Sequence, residues 1–327
     1  MGRIEIIDRA TGHHMGLDDR ELQKRCKRGE LQRIRPGVYA VPDPDSTRRE
    51  RHVAAVHAAV RSLTVPAAVS HVSAAALHGM SLWDVDLARV HMTRPGHEGG
   101  HVSARRHLHM GPLGPEDITT LGGIEVTSAA RTVVDVARTA DLTRAVAVGD
   151  SALNKAKTTR DELDAAVDRV RGRNGARRAA AAVRMMDARS ESPGETWSRL
   201  QMVACGMPVP ELQRVIRSRG VALGRVDFYF EELGIVGEFD GRIKYLGRDV
   251  ARPRGASGDQ IVYREKRRED ALRRCGLVVF RWNWDDLRAT GRLRRLFEDA
   301  CDIAAGMPAP RIDPPRAGDE YRLRAGR

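Results

Sequence analysis

Apolar positions along this chain change period several times, and each change marks an element. Leu22 and Cys26 stand at i and i+4 within Glu21–Gly29, a run otherwise filled by Arg and Lys. Asp18 precedes that run and Glu21 follows three residues later, so the pattern predicts a basic helix with a capped start and a glycine stop. Leu31, Ile34, Val38 and Tyr39 then flank Pro36-Gly37, which predicts strands around a turn. Helical spacing returns over Arg48–Leu63 and Ser70–His78, and again in blocks at Ser128–Ala152 and Arg160–Arg189. Short strand-like runs lie near Arg89–Thr93 and Gly123–Val126. Beyond Ser192 the pattern is sharper. A helix opens at Ser192-Pro193-Gly194-Glu195, runs through Trp197, Leu200 and Val203, and stops at Gly206-Met207-Pro208. Strands are predicted over Val209–Arg217, Val221–Phe230 and Ile235–Phe239. A basic helix follows over Ile261–Cys275, then a buried strand over Leu277–Trp282 and a last helix over Asp285–Ala300.

These elements predict an α/β multidomain chain. Residues 1–44 form a module ending in the turn-rich VPDPDS stretch, and residues 47–189 form a mixed α/β middle region. Residues 192–300 form a C-terminal α/β domain, and 307–327 a loose Pro- and Arg-rich tail. A length of 327 residues fits two or three cores rather than one. With 41% apolar and 31% charged residues but only 4% aromatic ones, those cores are built mainly from Ala, Val and Leu. The four cysteines are scattered and form no CxxC pair, so neither a disulfide framework nor a zinc knuckle is expected, and a reducing cytoplasm is the natural setting. No apolar run is long enough to cross a membrane, and the charged opening MGRIEIIDRATG is not expected to be a signal peptide.

The formal charge of +12 changes the picture by favouring a polyanionic partner. Arginine-rich coding could produce the same excess without a ligand. The charge is concentrated, however, where a helix and a hairpin would meet nucleic acid: Arg20, Lys24, Lys27 and Arg28 on the first basic helix, and Arg33 and Arg35 on the hairpin after it. Arg264, Lys266, Arg267 and Arg268 form a second basic face in the C-terminal domain. There, Asp227 lies on one predicted strand and Glu238 on the next, eleven positions later, so a hairpin brings the two carboxylates together. Two such acids are costly to place side by side without a cation, and hard oxygen ligands suit Mg²⁺ or Mn²⁺. Glu195 can approach from the helix start as a further acid, and Asp240 is a further ligand candidate. Lys244 is a candidate for orienting the attacking water or stabilising developing charge. Each has a plainer reading: a surface charge for Asp227, a bridge to Arg264 or Arg281 for Glu238, an ordinary surface lysine for Lys244. Trp282 and Trp284 read as packing. His71, His78, His101, His107 and His109 match no zinc spacing, and no carboxylate or cysteine completes a set, so HVSARRHLH reads as an exposed strand or loop.

The N-terminal run RIRPGVYAV, with SHVSAAALHG and VTSAARTVVDVA downstream, resembles AbiEi-type antitoxins, transcriptional regulators of toxin–antitoxin operons. That resemblance implies a winged helix-turn-helix over residues 1–44, DNA as a partner, and a cognate toxin protein as a second one. From Ser192 to Leu296, GRVDF, GEFDGRIKY, REKRREDALR and VVFRW in that order resemble the PD-(D/E)XK nuclease superfamily, in particular Vsr-type mismatch endonucleases. This implies a restriction-endonuclease-like fold that hydrolyses DNA phosphodiester bonds with Mg²⁺ or Mn²⁺. Asp227 and Glu238 then match the metal-binding acids and Glu195 the helical acid. The superfamily's lysine position, two residues after the acid, is held here by Asp240, so its role would fall to Lys244 or Lys266. Two other readings stand beside this one: a non-catalytic regulator or antitoxin with a retired nuclease fold, and a nuclease acting on RNA.

Overall fold

The structure is a computed structural model describing residues 6–63, 65–96, 99–241 and 258–316. The chain divides into two compact units. The first comprises Met1–Ala152 with Lys157–Met186, and the second Leu153–Ala156 with Asp187–Arg327. Both mix helices with β-sheet, and the 1–44 stretch shares the first with most of the 47–189 stretch. No helix among the described residues is long and apolar enough to cross a membrane.

The first unit opens with β1 (Ile6–Asp8), α1 (Arg9–His14), α2 (Asp19–Lys27), β2 (Gln32–Arg35) and β3 (Val38–Ala40). Asp18 caps α2 by accepting from the Glu21 N–H at 2.7 Å. Leu22 is fully buried among Ile7, Leu17, Leu31 and Tyr39. The predicted hairpin is β2–β3. On the other side of β3 lies β1, giving the order β1-β3-β2. With three residues, β1 is too short to show a period, and its pairing comes from the distant β3.

Then follow α3 (Arg48–Arg61), β4 (Ala68–Val69), α4 (His71–Leu77), β5 (Val90–Arg94), β6 (His101–Val102), β7 (Arg106–Met110), β8 (Ile118–Leu121) and β9 (Ile124–Thr127). Thr47 and Glu50 close a reciprocal capping box at the start of α3. Six strands form one mixed sheet ordered β6-β7-β5-β4-β9-β8. Val56, Ala59, Val69, Ala74, Met92 and Val126 make the core between this sheet and α3–α4. The expected helical blocks are each broken in two, giving α5 (Ala129–Thr139), α6 (Leu142–Asn154), α7 (Arg160–Arg169) and α8 (Ala176–Arg184). Gly175, in the left-handed conformation, starts α8, where a side chain would strike the Arg138 carbonyl. Arg131, 2% exposed, bridges Asp117 at 2.8 Å and Asp135 at 3.0 Å, which ties the helical layer to the loop before β8.

The second unit contains α9 (Pro193–Ala204), β10 (Glu211–Ser218), β11 (Val221–Phe230), β12 (Ile235–Asp240), α10 (Gly258–Arg274), β13 (Val278–Asn283), α11 (Trp284–Arg288) and α12 (Arg292–Ala305). Strands β10, β11 and β12 form an antiparallel meander, and β13 pairs parallel to β12 after the α10 crossover. Ile216, Val226, Tyr229, Val236, Leu272 and Leu277 form one buried cluster. Phe228, Phe230, Phe280, Trp282 and Phe297 form an aromatic one. The single helix expected over Asp285–Ala300 is interrupted at Ala289–Gly291. The expected loose tail needs correcting as far as residue 316: Arg311 N–H donates to the Cys275 carbonyl at 2.7 Å, and Asp313 N–H to the Arg217 carbonyl at 2.8 Å. The Asp313 carboxylate also accepts the N–H groups of Arg219 and Gly220 in the β10–β11 turn. Those backbone partners are remote in sequence, so composition alone does not reveal them.

Candidate functional site

Sequence placed Glu195, Asp227 and Glu238 on three separate elements, and packing brings them to one end of the second sheet. Ser192 caps α9, accepting from the Glu195 N–H at 3.2 Å, while its hydroxyl donates to Glu195 Oε1 at 2.7 Å. Gly194 lets this first turn lie on β12, because a Cβ there would overlap the Phe239 ring. The register Phe228↔Gly237 then sets Asp227 beside Glu238 on adjacent strands.

Glu195 and Asp227 are joined by a residue the sequence reading missed. Gln213 Nε2 donates to Glu195 Oε2 at 2.9 Å and to Asp227 Oδ1 at 3.3 Å. Gln213 is buried, and its backbone sits at φ 56°, an uncommon left-handed state for a non-glycine residue and one that concentrates at functional sites. The sequence signal was a polar residue between Leu212 and Val215 in a strand. The other Asp227 oxygen accepts the Phe239 N–H at 3.0 Å, and the Glu191 N–H donates to Glu195 at 2.9 Å. Burial, followed by the Asp227 charge, raises the Glu195 carboxyl to about 7. Burial and the Glu238 charge raise Asp227 to about 6. Both carboxyls are therefore pushed towards neutrality from the ordinary carboxylate range.

Glu238 meets a different partner. Arg268 on α10 grips it in a two-pronged bridge, Nη1 to Oε1 at 2.9 Å and Nη2 to Oε2 at 2.8 Å. Gly224 makes room, since a Cβ there would lie 2.8 Å from Arg268 Cδ. The expected structural partners were Arg264 and Arg281. Arg281 instead binds Glu265 at 2.8 Å and Glu269 at 3.0 Å, and the Arg264 side chain lies outside the described residues. Asp240 is exposed at the end of β12, opposite Asn283. Lys244 lies outside the described residues. The four acids thus do not close on one point: Glu195 and Asp227 are coupled through an amide, and Glu238 is turned onto a guanidinium. Trp282 and Trp284 are buried, as packing requires, and Trp282 Nε1 donates to Ser198 Oγ at 2.7 Å.

Of the basic residues, Arg20, Lys24, Lys27, Arg28 and Arg33 are exposed on α2 and β2, while Lys266 and Arg267 are exposed on α10. Arg35 differs from them. It is half-buried and donates to Ser62 Oγ at 3.3 Å and to the Arg105 carbonyl at 3.4 Å, so it ties the hairpin to the rest of its unit. Arg268 is likewise committed to carboxylates.

The histidines were expected to match no zinc spacing and to lack a completing carboxylate or cysteine, and the fold nevertheless brings three of them together. Among the described residues, a compact group of three metal-ligand side chains is formed by His71, His91 and His109, whose ligand atoms lie within 4.8 Å of one another. His91 was not among the residues singled out, and HVSARRHLH is not a simple exposed run, because its end is β7, a strand inside the sheet. His78 instead holds the Thr127 carbonyl at 2.8 Å, and His101 is exposed on β6.

No family model matches the sequence. The uncharacterized protein Rv2248 of Mycobacterium tuberculosis strain H37Rv is 30% identical over 275 residues, which cover 84% of this chain and 93% of the relative. The uncharacterized protein MT2308 of strain CDC 1551 matches at the same 30% identity and the same extents. Among solved structures, the RV2827C protein of Mycobacterium tuberculosis aligns over 64% of this chain and 78% of its own, at 13% identity and a TM-score of 0.38, too distant to carry an argument. A match at 30% identity over 84% of this chain shows that it belongs to one family with those mycobacterial proteins.

Proposed function

We propose that this protein is a metal-dependent DNA endonuclease of the Vsr-like PD-(D/E)XK type, carried behind a winged-helix DNA-binding module and acting in the cytoplasm. The observation that carries the reading is the coupled pair Glu195–Asp227, held by Gln213 beside Glu238. Partly buried acids whose pKa values are raised, Glu195 by burial and the Asp227 charge and Asp227 by burial and the Glu238 charge, are a poor structural choice unless a cation or a proton transfer uses them. Their oxygen-only donor set fits Mg²⁺ or Mn²⁺. Glu195 and Asp227 would hold the ion, with Glu238 joining on release from Arg268 and Asp240 on a shift of the β12 end; when bound, the ion would polarise a phosphodiester and lower the pKa of an attacking water.

The chain's own residues supply the rest. Glu195, raised to about 7 in the ion-free site by burial and the Asp227 charge, would be held as a carboxylate by an ion on its oxygens. Lys266 and Arg267 on α10 provide phosphate contacts next to the acids, and Lys244 is the candidate for stabilising developing charge. Arg20, Lys24, Lys27, Arg28 and Arg33 give the N-terminal module a basic face for the DNA backbone.

A second reading is favoured by a specific contact. Arg268 already neutralises Glu238, and Asp240 stands where the superfamily's lysine is expected, as in a retired nuclease fold serving a regulator or antitoxin. One experiment separates the readings. Plasmid, mismatched duplex and single-stranded RNA are incubated with the full chain and Mg²⁺ or Mn²⁺, beside Glu195→Gln and Asp227→Asn. Metal-dependent cleavage of DNA that both variants lose is the expected result. Cleavage of RNA alone moves the substrate. DNA binding without cleavage supports the regulator and refutes the enzyme.

A further inference from the structure

We propose that His71, His91 and His109 form a binding site for a transition-metal ion of the zinc class, in the first unit and independent of the acidic couple. Strand geometry builds it. Strands β5 and β7 run parallel with His91 opposite His107 and Thr93 opposite His109, so the three imidazoles share one face of the sheet. His71, at the start of α4, closes on that face: its ring stacks on His109 at 3.8 Å and lies 5.7 Å from His91. His91 Nδ1 and His109 Nε2 are 3.0 Å apart, and the ligand atoms of all three residues fall within 4.8 Å of one another. A tetrahedral zinc with Zn–N bonds of about 2.0–2.1 Å needs its nitrogens roughly 3.3 Å apart. The observed spacing suits a ligand set, and rotating the stacked His71 and His109 rings out of parallel would aim their in-plane lone pairs at one point.

The surroundings prepare the lone pairs. His71 Nδ1 contacts Ser70 Oγ at 2.9 Å, and Ser70 Oγ in turn accepts from Thr93 Oγ1 at 2.7 Å. In the tautomer whose Nδ1–H donates to Ser70, Nε2 of His71 is left to the ion, the outer-sphere arrangement that metal-binding histidines use. A plain packing role would be served better by aliphatic groups, because three abutting imidazoles bring nitrogens that must be satisfied. Imidazole without carboxylate selects Zn²⁺, Co²⁺, Ni²⁺ or Cu²⁺ over Mg²⁺ and Mn²⁺. His107, stacked on His109 at 3.7 Å, borders the set and leaves the fourth position to it or to an exogenous ligand.

The test uses the full chain, stripped with chelator and titrated with Zn²⁺ by calorimetry and Co²⁺ by visible absorption. One Zn²⁺ per chain is expected, with the intense visible bands of four- or five-coordinate Co²⁺ and no thiolate charge-transfer band. His91→Gln with His109→Gln is expected to weaken Zn²⁺ binding at least tenfold, while Asp164→Asn, at an exposed position of α7, leaves it unchanged. Absence of stoichiometric Zn²⁺ binding by the wild-type chain overturns the proposal whatever the variant does. So does a thiolate band, which would put the ion on cysteine, or a folded double variant that binds as the wild type does.

Discussion

Replacing Glu195 by Gln tests whether the acid couple carries a stored electrostatic cost. Glu195 Oε2 accepts from Glu191 N–H and Gln213 Nε2, and Oε1 accepts from the Ser192 hydroxyl. A glutamine keeps the first two bonds, and its amide nitrogen faces a serine oxygen that can accept. The substitution therefore removes charge while nearly conserving shape. The folded carboxyl titrates at about 7 against an ordinary 4.5, so the folded state holds a proton that the unfolded chain releases between those values. Stability is then full below about pH 4.5, falls as pH rises to about 7, and is flat above it. At about 1.4 kcal/mol per pH unit, the loss is about 3 kcal/mol at pH 8. Solvent access and imperfect amide geometry reduce the expected gain to roughly 1–3 kcal/mol. The assay is urea unfolding in EDTA at pH 5 and pH 8, followed by tryptophan fluorescence, since Trp197, Trp282 and Trp284 all lie in the second unit. Glu195→Gln should match the wild type at pH 5 and exceed it at pH 8. Saturating Mg²⁺ should then narrow the gap, because an ion that binds the charged couple stabilises only the wild type, by about 2.7 kcal/mol at a hundredfold excess over Kd. A variant no more stable than wild type at pH 8, or a difference that does not change with pH, would refute the reasoning.

Arg131→Ala should destabilise the first unit by about 3–5 kcal/mol in denaturant unfolding, because it leaves Asp117 and Asp135 buried without their shared cation; a loss below about 1 kcal/mol would remove that bridge from the account. Lys24→Ala with Arg28→Ala should weaken binding of unrelated DNA duplexes about equally and lower the slope of log K against log salt by about 2, measured by fluorescence anisotropy. An unchanged slope would take α2 out of the interface.

Some of this was legible from sequence because it is local. The capped basic helix α2 needed only Asp18, the Leu22–Cys26 spacing and Gly29. Strands β11 and β12, with Asp227 and Glu238 on them, followed from alternation and from an eleven-residue spacing that only a hairpin can fold back. The helix starts at Thr47, Thr159 and Ser192 are likewise written in side chains that bond to backbone within three residues.

Tertiary structure decided the rest, since what one side chain meets across a sheet depends on register and crossover rather than on spacing. Gln213 became the link between two acids because β10 places it between Leu212↔Phe228 and Arg214↔Val226, opposite Asp227. Arg268 took Glu238 because α10 crosses the sheet beside Gly224, a pairing separated by thirty positions. Most plainly, His71, His91 and His109 share no sequence template. Two parallel strands in a fixed register and a helix start above them assemble these residues, so a compact ligand set among the described residues was one that spacing concealed.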